Sequence, residues 1–333
     1  MERRRQPDTP HLPEPGFDFP AYLEAKFAID SASLNAPLYA QFKDLLRQKV
    51  NPRILDLGTG TGAMLRRIME LDVRGQVRLV GLDQEEESLA AGLKRIEQVL
   101  RGKGFSVSGK RADTRNKRIH AEKGGTELQV DLLQGDLLDA KTTEKLGTFD
   151  CITAHAFMDL MPLKSAAATI RSLLRAEGVF YSTLNYDGQT VLLPEYGDAG
   201  FERRLLRNYD RSMERRRYGG RRTGGALSGR RLFRALLEEG FTILGTGSSD
   251  WNVSPSSGSY TAKEILFLTA ILSMIAREAW TQLTAPPIRS RDDGYRVVQQ
   301  KRLNDWFVSR IEAARSGRLS LVVHQLDHLA RIT

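Results

Sequence analysis

The residues whose types and spacing could do chemistry are Asp56, the glycines at 58, 60 and 62, Asp83, Asp136 and His155. Asp56 lies in Arg53-Ile54-Leu55-Asp56-Leu57-Gly58-Thr59-Gly60-Thr61-Gly62-Ala63, a short apolar run that ends in alternating glycines. Apolar Met64, Leu65 and Ile68 then recur among Arg66, Arg67 and Glu70, so the segment reads as strand, tight turn and helix. Glycines there let the chain turn sharply and let a ligand approach the main chain with no Cβ in the way. A carboxylate at the end of a buried strand is costly unless something binds it. In open α/β sheets that end of the strands is where ligands sit.

Two ligand chemistries compete for this turn. Gly58-Thr59-Gly60-Thr61-Gly62-Ala63 fits the dinucleotide pattern G-x-G-x-x-G/A, with Asp83 placed to meet a ribose hydroxyl. A pyrophosphate, however, is repelled by a carboxylate just before the glycines, whereas a ligand bearing an amino group and a sulfonium is attracted to one. The segment closely resembles the first motif of class I S-adenosylmethionine (SAM)-dependent methyltransferases, E/D-x-G-x-G-x-G. The resemblance implies that Asp56, Gly58, Thr59, Gly60 and Gly62 receive the methionine part of SAM. It implies that Asp83, followed by Gln84, accepts the ribose hydroxyls, for which a carboxylate offers two oxygens side by side. Asp136 and Leu137 would meet the adenine. Asp150 matches the family's common Phe-Asp pattern opening the fourth strand, and Ala154 and His155 would lie beside the sulfonium. Taken alone, Asp83 equally suits a cap on the next helix and Asp136 a turn.

Methyl transfer from a sulfonium requires alignment and, for some acceptors, removal of a proton. His155 is the candidate base because imidazole titrates near neutral pH; packing against the cofactor is the competing role. Asn185, Tyr186 and Asp187 follow the fifth strand, where acceptors of this family usually lie, and are the candidate substrate residues. The two prolines of the N/D-P-P-Y/F signature of amino-group nucleic-acid methyltransferases are absent after Asn185.

The elements that must position these groups follow from periodicity. Strands are expected at 53–57, 76–83, 128–137, 148–156 and 176–184, alternating with helices, which indicates a parallel, doubly wound sheet. A sixth strand at 241–251 and a last one at 318–327 complete the expectation. It is a Rossmann-like seven-stranded sheet of the class I methyltransferase type, with an antiparallel last strand. Helical patterns at 21–27 and 33–47 form an N-terminal cover. The domain expectation is an arm and helical lid over 1–49 and a methyltransferase domain over 50–333. Insertions fall at about 185–228, a lid, and at about 260–316, which is helical. Residues 102–127 form a Gly- and Lys/Arg-rich insertion compatible with a β-hairpin. Residues 1–18 are Pro-rich and polar, an extended arm.

The 333-residue chain carries 50 Lys and Arg against 41 Asp and Glu, a net charge of +9. That charge suits nucleic acid or an acidic small molecule. No apolar run has transmembrane length, no signal-peptide core follows the N-terminus, and Cys151 is the one cysteine, so a cytoplasmic protein without a membrane partner is expected. His324 and His328 stand four apart with no third ligand nearby, so no metal site is expected. The leading reading is a SAM-dependent methyltransferase of a small acceptor, through O, N or C. An RNA methyltransferase, a non-catalytic SAM-binding protein and a nicotinamide dehydrogenase are the alternatives. Arg203 to Arg231 holds eleven arginines, and Leu205, Leu206, Tyr209 and Met213 recur at helical spacing among them. An amphipathic lid helix, with arginines available for an acidic group on the acceptor, is the expectation there.

Overall fold

The computed structural model describes residues 18–71, 75–111, 116–284 and 293–332. Most of the Pro-rich arm expected at the N-terminus lies outside them. Helices α1 (Phe19–Ser33) and α2 (Ala36–Arg47) come first. Asn35 starts α2 by accepting the Leu38 N–H at 3.2 Å, with Pro37 in the first turn, where its missing N–H is harmless. There follow β1 (Arg53–Leu57), α3 (Ala63–Met69), β2 (Gln76–Asp83), α4 (Glu86–Gly102), β3 (Ser106–Arg111), β4 (Asn116–Lys123), β5 (Thr126–Gln134) and α5 (Ala140–Leu146). The middle of the chain supplies β6 (Phe149–His155), α6 (Leu163–Leu173), β7 (Leu174–Leu193), α7 (Ala199–Arg215), the two-residue strands β8 (Arg217–Tyr218) and β9 (Arg221–Arg222), and α8 (Ser228–Glu238). The last elements are β10 (Thr242–Ser248), β11 (Trp251–Val253), α9 (Ala262–Thr284), α10 (Asp293–Arg315) and β12 (Ser320–Arg331).

The chain divides into two compact units. A sheet unit takes residues 27–189, 216–251 and 323–333, and a helical unit takes residues 1–26, 190–215 and 252–322.

In the sheet unit the strand order is β10-β12-β7-β6-β1-β2-β5-β4-β3, with β11 paired to β12. Strands β5, β2, β1, β6 and β7 pair in parallel, and β12 runs antiparallel to β10. The seven expected strands are therefore the body of a larger, ten-stranded sheet. The expectation of seven fell short because the basic insertion at 102–127 does not stay in solvent. Its strands β3 and β4 form a hairpin, and β4 pairs antiparallel with β5 from Asn116↔Leu133 to Lys123↔Thr126. The short β11 is the tenth strand.

The central strands are buried on both faces, as continuous apolar runs in parallel sheets require. Leu55, Leu57, Ile152 and Phe180 pack with α6 and α8 residues such as Ala166, Ile170, Leu232 and Leu236. On the other face Ile54, Leu79, Cys151 and Tyr181 pack with Phe42 of α2, Leu65 of α3 and Ile96 of α4. Each such side chain contributes roughly 1.5–3 kcal/mol on burial. Strand alternation fixes the polar residues too. Asp56 shares a face with Ile54, and Thr153, His155 and Thr183 share it with Cys151 and Tyr181.

In the helical unit α9 packs against both α7 and α10. Phe201, Leu205 and Met213 of α7 are buried, as are Phe267, Ile271 and Ile275 of α9 and Leu303 and Trp306 of α10. The apolar stripe of α7 thus has a partner inside its own unit. Glu202 of α7 is buried with it, accepting the Trp306 indole N–H at 2.8 Å and a two-pronged guanidinium from Arg310 at 2.6 and 2.8 Å.

Candidate functional site

The turn after β1 forms as its glycines require. Gly58, Gly60 and Gly62 have φ of +61°, +52° and +78°, a region other residues rarely adopt. The Thr59 N–H donates to Leu82 O at 3.1 Å and ties the turn to β2. A Cβ on Gly58 would fall 2.3 Å from the Phe157 ring, so only glycine lets that ring lie against the turn. The Thr61 hydroxyl is buried and finds no hydrogen-bond partner among the described residues.

Asp56 is 1% exposed. Its two oxygens accept the hydroxyls of Thr59 at 2.7 Å and Thr153 at 2.8 Å. Burial raises its pKa to about 6, against the lowering effect of those bonds and of Arg67. Asp83, at the end of β2, accepts the Gly60 N–H at 2.7 Å on one oxygen and the Glu85 N–H at 2.9 Å on the other. It therefore joins the turn to the start of α4. Each carboxylate oxygen has two lone pairs, so each retains one for a further donor.

Beyond β5, Asp136 accepts the Leu138 N–H at 2.8 Å on one oxygen and the Tyr218 phenol on the other. The Gln84 amide donates to that same phenol oxygen at 2.7 Å. Leu137 is buried in the core. Asp56, Asp83 and Asp136 thus mark the carboxyl ends of the neighbouring strands β1, β2 and β5, and the first two bond to the glycine turn.

At the end of β6, Ala154 and His155 part company. Ala154 packs into the α6 and α8 face. His155 turns to the opposite face, with Nδ1 2.6 Å from the Thr183 hydroxyl and Nε2 3.0 Å from Asp30 of α1. The second Asp30 oxygen accepts the Trp251 indole N–H at 3.0 Å. Arg67 completes the cluster. Its Nη1 lies 3.4 Å from His155 Nε2, it donates to the Ser31 hydroxyl at 3.0 Å and to Phe27 O at 3.2 Å, and it stacks on the Phe27 ring. Asp30, Arg67, Thr183 and Trp251 carry no local motif. Arg67 reads from sequence as the polar side of α3, and its burial comes from tertiary neighbours, Phe27 and Ser31 of α1 and His155 of β6 among them.

Asn185, Tyr186 and Asp187 are all buried. The Asn185 amide donates to Leu326 O at 2.8 Å and its oxygen accepts the Ser182 hydroxyl at 2.9 Å. Asp187 accepts the Arg230 N–H at 3.0 Å at the start of α8 and pairs with its guanidinium. Their polar atoms lock β7 to β12 and α8. Asp150 accepts the Arg53 N–H at 2.9 Å and pairs with Arg175 at the far end of β6. His328 bridges Thr246 and Gly229 O, while His324 meets Asp250 at 2.9 Å, so the two histidines have separate partners.

No protein-family model matches the sequence, and no curated protein matches it. Among solved structures, the chain is similar to a Bacillus halodurans C-125 protein provisionally assigned as a methyltransferase. The identity is 16% over 88% of this chain and 98% of that one, with a TM-score of 0.47. It is similar to the cyclopropane synthase MmaA2 of Mycobacterium tuberculosis at 13% identity over 98% and 90%, with a TM-score of 0.41. It is also similar to geranyl diphosphate C-methyltransferase of Streptomyces coelicolor A3(2), solved with Mg2+, geranyl diphosphate and S-adenosyl-L-homocysteine. That match has 11% identity over 89% and 80%, with a TM-score of 0.41. These likenesses are distant, and the chemistry of the site stands on its own residues.

Proposed function

We propose that this chain is a methyltransferase that uses S-adenosylmethionine to methylate a small-molecule acceptor. The observation that carries the reading is the set of three carboxylates at neighbouring strand ends, two of them bonded to a glycine turn whose buried Thr61 hydroxyl has no hydrogen-bond partner among the described residues. SAM supplies a methyl group already activated on a sulfonium. The turn from Gly58 to Gly62, with Thr59 and Thr61, receives its amino-acid part, and Asp56 supplies the local negative potential that such a cation favours. Asp83 offers its two remaining lone pairs to vicinal hydroxyls, beside Gln84. Asp136 and Leu137 serve the nucleobase.

His155 and Ala154 end the strand that faces the transferred group. His155 serves as the base: Asp30 holds the proton on Nε2, and the acceptor's proton passes to Nδ1 through the Thr183 hydroxyl bonded to it. The arginines from 216 to 231, which belong to the sheet unit, favour an acceptor with an acidic group. Asn185, Tyr186 and Asp187 act as the floor that holds β7 in place beneath that acceptor rather than as its polar contacts. No helix among the described residues is long and apolar enough to cross a membrane. A cytoplasmic setting belongs to the same proposal and rests on the cysteine usage of the sequence.

Calorimetric titration with SAM and with NAD tests the reading. SAM is expected to bind and NAD to fail. Asp83→Ala is expected to weaken SAM by roughly 1–3 kcal/mol, because two hydroxyls lose their acceptor. Binding of NAD in place of SAM overturns the proposal. Unchanged SAM affinity in Asp83→Ala removes the ribose assignment.

A further inference from the structure

Residues 216–225 form a ribbon that the cofactor reading does not use. Strands β8 and β9 pair through Arg217↔Arg222 and Tyr218↔Arg221. Gly219 and Gly220 make the turn with φ of +52° and +76°, as a two-residue hairpin of this hand requires. The base of the ribbon is fastened to the segment after β6. Gly224 N–H donates to Met161 O at 2.9 Å, Gly225 N–H to Asp159 O at 3.2 Å, and Arg221 to the Ser165 hydroxyl at 2.8 Å. Arg216 adds an ion pair with Asp159 at 3.7 Å.

From this ribbon a single side chain reaches the ends of β2 and β5. The Tyr218 phenol donates to Asp136 and accepts from Gln84, so one hydroxyl joins both residues assigned to the nucleoside end of the cleft. It takes the Asp136 oxygen that Leu138 does not use. To one carboxylate oxygen, an N–H of an exocyclic amine and the O–H of a phenol are both neutral donors of the same reach. Burial, and then the Asp136 carboxylate, push the phenol up to about 12, so it remains a donor at neutral pH. Asp136 is half-buried, with one oxygen held by the Leu138 N–H, and the phenol supplies the donor to the other.

We propose that Tyr218 is a place-holder for the nucleobase amine, occupying Asp136 and Gln84 until adenine displaces the tip of the Arg217–Arg222 ribbon. The inference rests on the cofactor reading above and adds a residue to its binding site. Cofactor binding then exchanges one charge-assisted hydrogen bond for another. Its affinity is set by the difference between them, and an adenosyl ligand is favoured over one whose base lacks an amine.

The test is calorimetry and stopped-flow association of the full chain with S-adenosylhomocysteine, for the wild type, Tyr218→Phe, Asp136→Asn and the double variant. Tyr218→Phe keeps the ring and its packing, and a matching thermal unfolding curve confirms the fold. The expected result is a roughly three- to tenfold tighter affinity with faster association, because the ligand no longer competes with a phenol for Asp136. In the Asp136→Asn background the same change is expected to shift affinity less than about twofold, because the two effects share one interaction. Weaker binding by Tyr218→Phe would make the hydroxyl a direct ligand contact and overturn the place-holder. Equal binding by wild type and variant would overturn it too, while leaving the cofactor reading intact. Absence of binding by every form would remove the cofactor reading, and this inference with it.

Discussion

Glu202 in the helical unit and Asp30 in the sheet unit are both buried carboxylates, and both accept a tryptophan indole N–H, from Trp306 and Trp251 respectively. Their other partners differ. Glu202 is closed by Arg310, a cation that stays charged and grips both oxygens. Asp30 is closed by His155, whose charge depends on a proton. The first arrangement is complete and static, and it pins α7 to α10. The second leaves a carboxylate beside a ring that can gain or lose a proton, at the carboxyl end of β6. The same cost of burial is thus met by a permanent cation in one unit and by a titratable ring in the other.

The largest expected effect comes from breaking the fastener. Arg310→Gln leaves Glu202 buried with the Trp306 indole N–H at 2.8 Å and the longer Tyr196 N–H bond at 3.3 Å, neither of them a charge. Removing one partner of a buried pair costs about 3–5 kcal/mol. Urea unfolding of the variant is expected to show a loss of that size. A loss below about 1 kcal/mol would mean that Arg310 does not hold Glu202 as a buried ion pair, and the contrast with Asp30 would disappear.

Next in size is a pair of opposed pH effects inside the sheet unit. Asp56 has a folded pKa of about 6 against 3.8, so as pH rises through that window the unfolded chain has already released a proton that the fold still holds. Stability therefore falls with rising pH, by about 3 kcal/mol in all. His328 goes the other way. Burial lowers it from 6.5 to about 4, so on acidification the unfolded chain takes a proton that the fold refuses. Stability falls with falling pH, by about 3 kcal/mol again. The two nearly cancel between pH 4 and 6. Asp56→Asn is expected to expose the acid sensitivity of His328. His328→Gln is expected to leave a protein that gains stability as pH is lowered. Denaturant midpoints at several pH values check both, and parallel profiles for the three proteins would refute the opposition.

What was legible in the sequence divides along the same line. The turn from Gly58 to Gly62, Asp83 after β2 and Asp136 after β5 are local signals, because a strand end and its next few residues are read together. The neighbours of His155 are not local. Asp30 and Trp251 come from distant segments that meet only when α1 folds over the sheet. Burial of Arg67 is equally invisible, because an arginine beside Arg66 reads as solvent-facing. The basic hairpin was legible as a hairpin, but its pairing to β5 was not, since an edge strand accepts partners without a sequence signature. The stripe on α7 showed an apolar face and could not say that α9 covers it. Asn185 and Asp187 showed polar groups after β7, and their lock onto β12 and α8 depends on residues far along the chain.

The smallest expected effect is the sharpest comparison with Arg310→Gln. In His155→Gln the amide can still donate to Asp30 or accept from Thr183, and Asp30 keeps the Trp251 N–H. No charge is orphaned if the imidazole is neutral in the fold. The loss then amounts to one hydrogen bond of imperfect geometry, about 1 kcal/mol. Arg67 stays beside Asp30 and limits the loss further, because Asp30 is among the charges that favour its cationic form. Denaturant unfolding of His155→Gln and Arg310→Gln side by side is the measurement. If His155→Gln costs as much as Arg310→Gln, the imidazole is a fixed cation paired with Asp30, and the cluster is a second fastener rather than a base. A small loss, accompanied by failure to methylate any acceptor that wild type accepts, leaves His155 the role of a proton acceptor held in place by a carboxylate and a hydroxyl.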